Sequence, residues 1–101
     1  HMLIITGNLY VAPTDLSQFL ADFHVLSLAT RQREGNISYD AGIDDQRAGR
    51  LILLERWTDQ RALSAHLGSV DTAEFIRKWQ GRMHGDIRKY EVFNERELMQ
   101  A

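Results

Sequence analysis

Four side chains in this sequence are of types suited to moving a proton on a small organic molecule or holding its oxygens: His66, Glu55, Asn8 and Tyr39. A neutral imidazole such as that of His66 can take a phenolic proton near neutral pH, or serve only as a hydrogen-bonded clamp at a helix junction. Glu55 closes the apolar run Leu51–Leu54, and strand alternation puts it on the face of Leu51, Leu53 and Trp57. A carboxylate there needs a partner: His66, whose tautomer it would fix, or Arg31, Arg56 or Arg61 in a structural ion pair. The Asn8 amide can donate to a ketone oxygen and accept from a hydroxyl, or bond to backbone, and its face is left open. Tyr39 either donates a proton or plugs the sheet. Flat rings stack on flat substrates, so Trp57 and Trp79 are expected in the wall of an aromatic-accepting pocket. Phe23 and Phe75 read first as core, with Phe75 kept as a substrate contact.

Other chemistries lack their residues. His24, His66 and His84 show no close spacing that sets two ligands on one helix face, so no metal is expected. There is no Gly-rich phosphate loop, no Ser-centred elbow and no dinucleotide fingerprint. Zero cysteines remove disulfides, thiolate sites and Cys nucleophiles, and suit a reducing cytoplasm. The net charge of −2 and the scattered Lys and Arg residues give no field for a phosphate backbone, so nucleic acid is not an expected partner. No apolar run approaches the roughly 20 residues that span a bilayer, and no signal peptide is read. His1 before Met2 resembles a tag remnant.

These side chains need a frame. Leu3 to Val11, rich in β-branched and aromatic residues, reads as a strand that stops at Ala12-Pro13. Thr14 or Asp15 then caps a helix with Leu16, Phe19, Leu20, Phe23 and Leu26 on one stripe, running to about Gln32 and ended by Gly35. Ile37, Tyr39, Ala41 and Ile43 alternate as a second strand, Asp44 to Gly49 is a loop, and Arg50 to Trp57 is a third strand. Asp59 caps a short helix through His66; Gly68-Ser69 interrupts it; Asp71 starts a helix with Phe75, Ile76, Trp79 and Met83 on its apolar side, ended by Gly85. Ile87 to Phe93 is a fourth strand, and Asn94–Ala101 a frayed helical turn. The order β-α-β-β-α-β is the α+β ferredoxin-like plan with a four-stranded antiparallel sheet, here one domain over residues 3–95.

Such a fold puts its helices on one sheet face, yet the first and third strands are apolar on both. The uncovered face would expose a flat patch on the order of 330 Å². A monomer rarely tolerates that surface, so a homodimer packed sheet to sheet is expected.

Glu34-Gly35-Asn36-Ile37-Ser38-Tyr39, Leu54-Glu55-Arg56-Trp57-Thr58-Asp59, then Ala62-Leu63 and His66, resemble successive blocks of the antibiotic-biosynthesis (quinol-type) monooxygenase domain. The resemblance covers Leu3 to about Asn94. It implies a dimeric α+β barrel with a pocket between sheet and helices, and an oxygenase acting on a small quinol, phenol or anthrone with O₂ and without metal or flavin. On that reading His66 removes the phenolic proton beside the cavity, with Asn8 and Tyr39 holding oxygens. The haem-degrading branch relies on an Asn, a Trp and a proximal His; Asn8 falls where the first belongs, but His66 and Ile76 occupy the other two places, so haem is not expected. The fold alone does not fix the reaction. An isomerase or proton-transfer enzyme on a small carbonyl compound, anchored by Arg31, Arg82 or Arg88, and a non-catalytic binding dimer are the alternatives.

Overall fold

The computed structural model describes His1–Ala101 as a four-stranded antiparallel sheet with helices on one face. Strand β1 (Met2–Val11) leads through a 3-10 turn at Pro13–Asp15 into helix α1 (Leu16–Thr30). β2 (Asn36–Asp45) and β3 (Arg50–Trp57) follow, then α2 (Gln60–Leu67), α3 (Val70–Trp79) and β4 (Met83–Val92). The sheet order is β2-β3-β1-β4, so the two long connections carry the helices across one face, as the ferredoxin-like plan requires. No helix is long and apolar enough to cross a membrane.

Alternation decides what each face holds. β1 pairs Ile5 with Glu55 of β3 and Lys89 of β4, and Asn8 with Ile52 and Asp86. Odd-numbered β1 residues therefore meet the helices, where Leu3, Ile5 and Val11 are buried beside Leu51, Leu53 and Trp57. Of the α1 stripe read from sequence, Leu16, Phe19, Phe23 and Leu26 are buried and Leu20 is half-buried, and Thr30 extends it by one further step. The even-numbered face is bare: Ile52, Leu54 and Tyr90 are all exposed.

The final third departs from expectation. β4 begins at Met83, four residues before the Ile87 start read from the sequence, so Met83 belongs to the strand and α3 ends at Trp79. The spacing from Trp79 to Met83 mimics a helical step, but His84, Gly85 and Asp86 pair with Tyr10, Leu9 and Asn8. Gly85 is permitted there because an added Cβ would lie 2.4 Å from the Asn8 carbonyl oxygen. α3 is entered through Ser69, one residue before Val70, and Asp71 lies inside its first turn. The tail carries only a turn near Leu98-Met99, not a helix.

Gly35 performs the one backbone task that matters for the site. Its φ of +83° is left-handed, and a Cβ there would sit 2.3 Å from Ala62 Cβ. The Thr58 amide donates to the Gly35 carbonyl at 2.9 Å, while Asp59 caps α2 by accepting from the Ala62 amide at 2.9 Å. The turn after α1 is thereby pinned to the start of α2, which carries Arg33 over towards His66.

Candidate active site

A cavity of about 170 Å³ lies between the helix face of the sheet and helices α1 to α3. Its walls are mostly apolar, among them Phe19, Phe23, Leu53, Phe75, Met83 and Ile87. Leu67 at the end of α2 and Ile76 on α3 line it while remaining exposed, so the mouth opens between those helices. Three ionisable side chains line the same space: Tyr39, Glu55 and His66.

Glu55 is buried on the central strand β3, and the Trp57 indole Nε1 donates to its Oε1 at 2.9 Å. No cation reaches it. Arg31 pairs with Asp40 at 2.9 Å and Arg56 Nε donates to Ser38 Oγ at 2.9 Å, so the ion pairs expected for Glu55 do not form, and neither Arg61 nor His66 bonds to it. Strand geometry explains this: Arg56 is one residue from Glu55 and so projects from the opposite face. Burial pushes the Glu55 carboxyl up to about 7, with the Trp57 hydrogen bond acting weakly against it.

His66 sits in the last turn of α2, 2% exposed. Its ring lies 4.9 Å from the Trp57 ring and edge-on to Tyr39 at 5.2 Å. Arg33 Nη1 meets its Nδ1 at 2.6 Å, and Thr72 Oγ1 lies 3.3 Å from the same nitrogen. Burial, followed by the adjacent Arg33 cation and opposed by Asp71, lowers the His66 pKa to about 4, so the ring is neutral at physiological pH. Tyr39 stacks on Phe23 with ring centres 5.0 Å apart, and burial followed by the Glu55 charge raises its phenol above the ordinary value.

No buried polar side-chain atom of the protein lacks a partner. Glu55 Oε2, His66 Nε2 and Tyr39 Oη take part in none of the side-chain hydrogen bonds, and all three residues line the cavity. The site thus brings a carboxyl group whose proton affinity is raised towards neutral pH, an imidazole and a phenol to the wall of one largely apolar chamber.

The sequence-derived candidates divide accordingly. His66, Glu55, Tyr39 and Phe75 come together at the cavity. Asn8 does not: it is exposed on the other sheet face, opposite Ile52 and Asp86, while its neighbour Leu9 lines the cavity. Trp57 and Trp79 are corrected as wall residues: both are wholly buried and neither lines the cavity. Trp57 holds Glu55, and Trp79 donates to Asp22 at 3.0 Å beneath the Arg82 guanidinium. Phe23, read first as core, is a buried core residue and also lines the cavity. Arg33, Asp71 and Thr72 were missed. Arg33 stands in a polar turn, and only the Gly35 beside it hints that the turn is held in a fixed place.

Helices stacked on one face of a four-stranded sheet around a chamber with three polar groups define a ferredoxin-like α+β domain with a small-molecule-sized site. The chain belongs to the antibiotic biosynthesis monooxygenase family, whose profile matches residues 2–78. It is similar to a Bacillus subtilis protein named "Putative monooxygenase YcnE", 26% identical over 77 residues that cover 76% of this chain and 81% of that protein. A Deinococcus radiodurans structure described as a "putative antibiotic biosynthesis monooxygenase" superimposes with a TM-score of 0.85 at 21% identity, covering 97% of this chain and 99% of the other. A Bacteroides thetaiotaomicron protein described as a "possible oxidoreductase" gives 0.81 at 21% identity, over 90% and 97% of the chains. At those identities the two structures establish the fold.

Proposed function

We propose that this protein is an oxygenase of a single-ring quinol or phenol that reacts O₂ directly with the ionised substrate, with neither metal nor flavin. The observation that carries the reading is the apolar chamber of about 170 Å³ holding an otherwise unpaired carboxylate with a pKa of about 7. A cavity of about 150 Å³ accepts benzene, so this one suits one substituted ring and is small for a three-ring anthrone.

In this mechanism Glu55 takes the proton from a substrate hydroxyl, because a base whose pKa lies near the working pH is the most effective. His66 holds the oxygen of the resulting anion through Nε2, and Tyr39 the second oxygen. Phe23 and Phe75 hold the ring. The electron-rich anion then reduces O₂. For a 1,4-hydroquinone, one oxygen atom enters the ring and the other leaves as water, giving a hydroxyquinone; the substrate supplies all four electrons and no outside reductant is consumed. The protein contributes positioning and the exclusion of water.

An isomerase on a phosphorylated carbonyl compound is less well supported. The cations it would need are engaged elsewhere: Arg31 with Asp40, Arg82 with Asp15, and Arg88 with Asp86. We also take the working form to be a homodimer joined through the bare sheet face, since Ile52, Leu54 and Tyr90 together make an apolar surface that a twin would cover.

Oxygen-electrode assays over a panel of hydroquinones, catechols and fused-ring quinols test the function. Enzyme-dependent uptake with single-ring substrates is the expected result; no uptake with any of them above the uncatalysed rate would refute it.

A further inference from the structure

Arg33 stands outside the cavity and is directed at a cavity residue from behind. Its Nη2 pairs with Asp71, whose Oδ1 also accepts from the Thr72 amide at 2.9 Å, and its Nη1 donates to Thr30 Oγ1 at 3.0 Å. The guanidinium is thus tied to the end of α1 and the start of α3 while Nη1 meets His66 Nδ1 at 2.6 Å. A guanidinium only donates, so Nδ1 must accept and carries no proton. Thr72 does not decide the tautomer: the single Ser69 Oγ proton goes to the His66 carbonyl at 2.6 Å, so the Thr72 hydroxyl donates to Ser69 Oγ at 2.8 Å, and the state of Nδ1 is set by Arg33.

We infer that Arg33 is a positioning residue that holds His66 as the neutral Nε2–H tautomer, so that the imidazole shows the cavity a hydrogen-bond donor and not a base. A neutral imidazole has one proton; with Nδ1 occupied by the Arg33 donor it resides on Nε2, the nitrogen without a partner in the protein, on a ring that lines the chamber. An imidazolium would bring an Nδ1–H against a fixed cation. The other ionisable groups around the ring are Tyr39 from β2, Glu55 from β3 and Asp71 from α3; Asp71 is already engaged by Arg33, and Glu55 is held by Trp57. Proton removal is then left to Glu55, and the division of labour at the site follows from a residue that never touches the substrate. The tautomer assignment rests on geometry alone; its effect on turnover rests on the function proposed above.

Nitrogen-15 NMR of the imidazole, on the unliganded full-length protein, tests the first part whether or not any quinol is oxidised. His66 is expected to show an unprotonated Nδ1 and a protonated Nε2 from pH 5 to 8; a protonated Nδ1 anywhere in that range would overturn the inference. In Arg33→Met the His66 midpoint should rise by about one pH unit, as loss of an adjacent like charge requires, and the Nδ1–H form should appear. An unchanged tautomer and midpoint would equally overturn it. Should Arg33→Met not fold, Arg33→Lys keeps a donor and should keep the Nε2–H form, while the wild-type spectrum stands as a test by itself. With an active substrate, Arg33→Met should lower kcat about tenfold or more with KM little changed. If the NMR outcome holds and no substrate is oxidised, the function fails and the tautomer control stands.

Discussion

The two faces of the sheet are made by the same strands and treat polar groups in opposite ways. On the outer face, charges meet neighbours in solvent: Arg88 pairs with Asp86 at 2.7 Å, and both side chains are more than two-thirds exposed. Such solvent-screened pairs contribute little to stability. On the inner face Glu55 is buried with one hydrogen bond and no counter-ion, and His66 is buried beside a cation. Stability alone would place an apolar residue at position 55, since burying an unpaired carboxylate is unfavourable. A fold that keeps one beside an open chamber trades stability for a shifted proton affinity, and the difference between the faces makes the inner one the candidate site.

The largest effect should come from removing that carboxylate. Glu55→Gln keeps the shape and the acceptor for Trp57 Nε1 but cannot take a proton, so quinol-dependent oxygen uptake should fall by about 100-fold or more. Wild-type activity should rise with pH through about 7 as Glu55 ionises, and that rise should vanish in the variant. A variant with normal uptake would place the chemistry elsewhere and dissolve the contrast between the faces.

The same substitution should affect stability with the opposite sign. Glu55 binds its proton more tightly folded, at about 7 against 4.5 for the free side chain. Below pH 4.5 it is protonated in both states; from there to about 7 the folded chain holds the extra proton, and stability declines as pH rises. The loss is on the order of 3 kcal/mol by pH 8, and Glu55→Gln should escape it, melting above wild type at pH 8 and close to it at pH 4. His66 runs the other way: with its pKa lowered from 6.5 to about 4, its contribution is present above pH 6.5 and lost as pH falls towards 4. The two slopes oppose one another between pH 4.5 and 6.5, so wild type should be nearly flat there and Glu55→Gln should uncover the histidine's rise. Calorimetry across pH 4 to 8 checks both.

The fold was legible because its signals are local. The α1 stripe specifies an element and its buried face, and the alternation in Ile37 to Ile43 specifies a strand, although only Tyr39 is buried and Ala41 half-buried while Ile37 and Ile43 are exposed; the order of elements then leaves few topologies. β4 was legible only in part, since an edge strand relying on pairing with β1 tolerates His84, Gly85 and Asp86, which carry no strand signature. At the site, His66 and Glu55 could be picked by type and position, but their partners could not. Arg33 reaches His66 across a sequence separation of 33 and Asp71 across 38, and nothing in the spacing distinguishes Arg33 from Arg31 two residues earlier, which pairs with Asp40. Asn8 failed for a narrower reason. A strand apolar on both faces gives no parity by which to choose, and β1 is such a strand.

The smallest expected effects fall on the outer face, and they sharpen the comparison by being small where the chemistry is concerned. Asn8→Ala should leave oxygen uptake within about twofold, because Asn8 projects away from the cavity and its exposed amide leaves no buried group unpaired when removed. Ile52→Asp, opposite Asn8 on β3, should split the proposed homodimer, lowering the mass seen by light scattering from two chains to one. No residue of the bare sheet face lines the cavity, so the monomeric variant should still oxidise substrate while it stays folded. A loss of uptake in Asn8→Ala with an unaltered melting curve would mean that the outer face joins the reaction through the partner, and the separation of a chemical face from an assembly face would no longer hold.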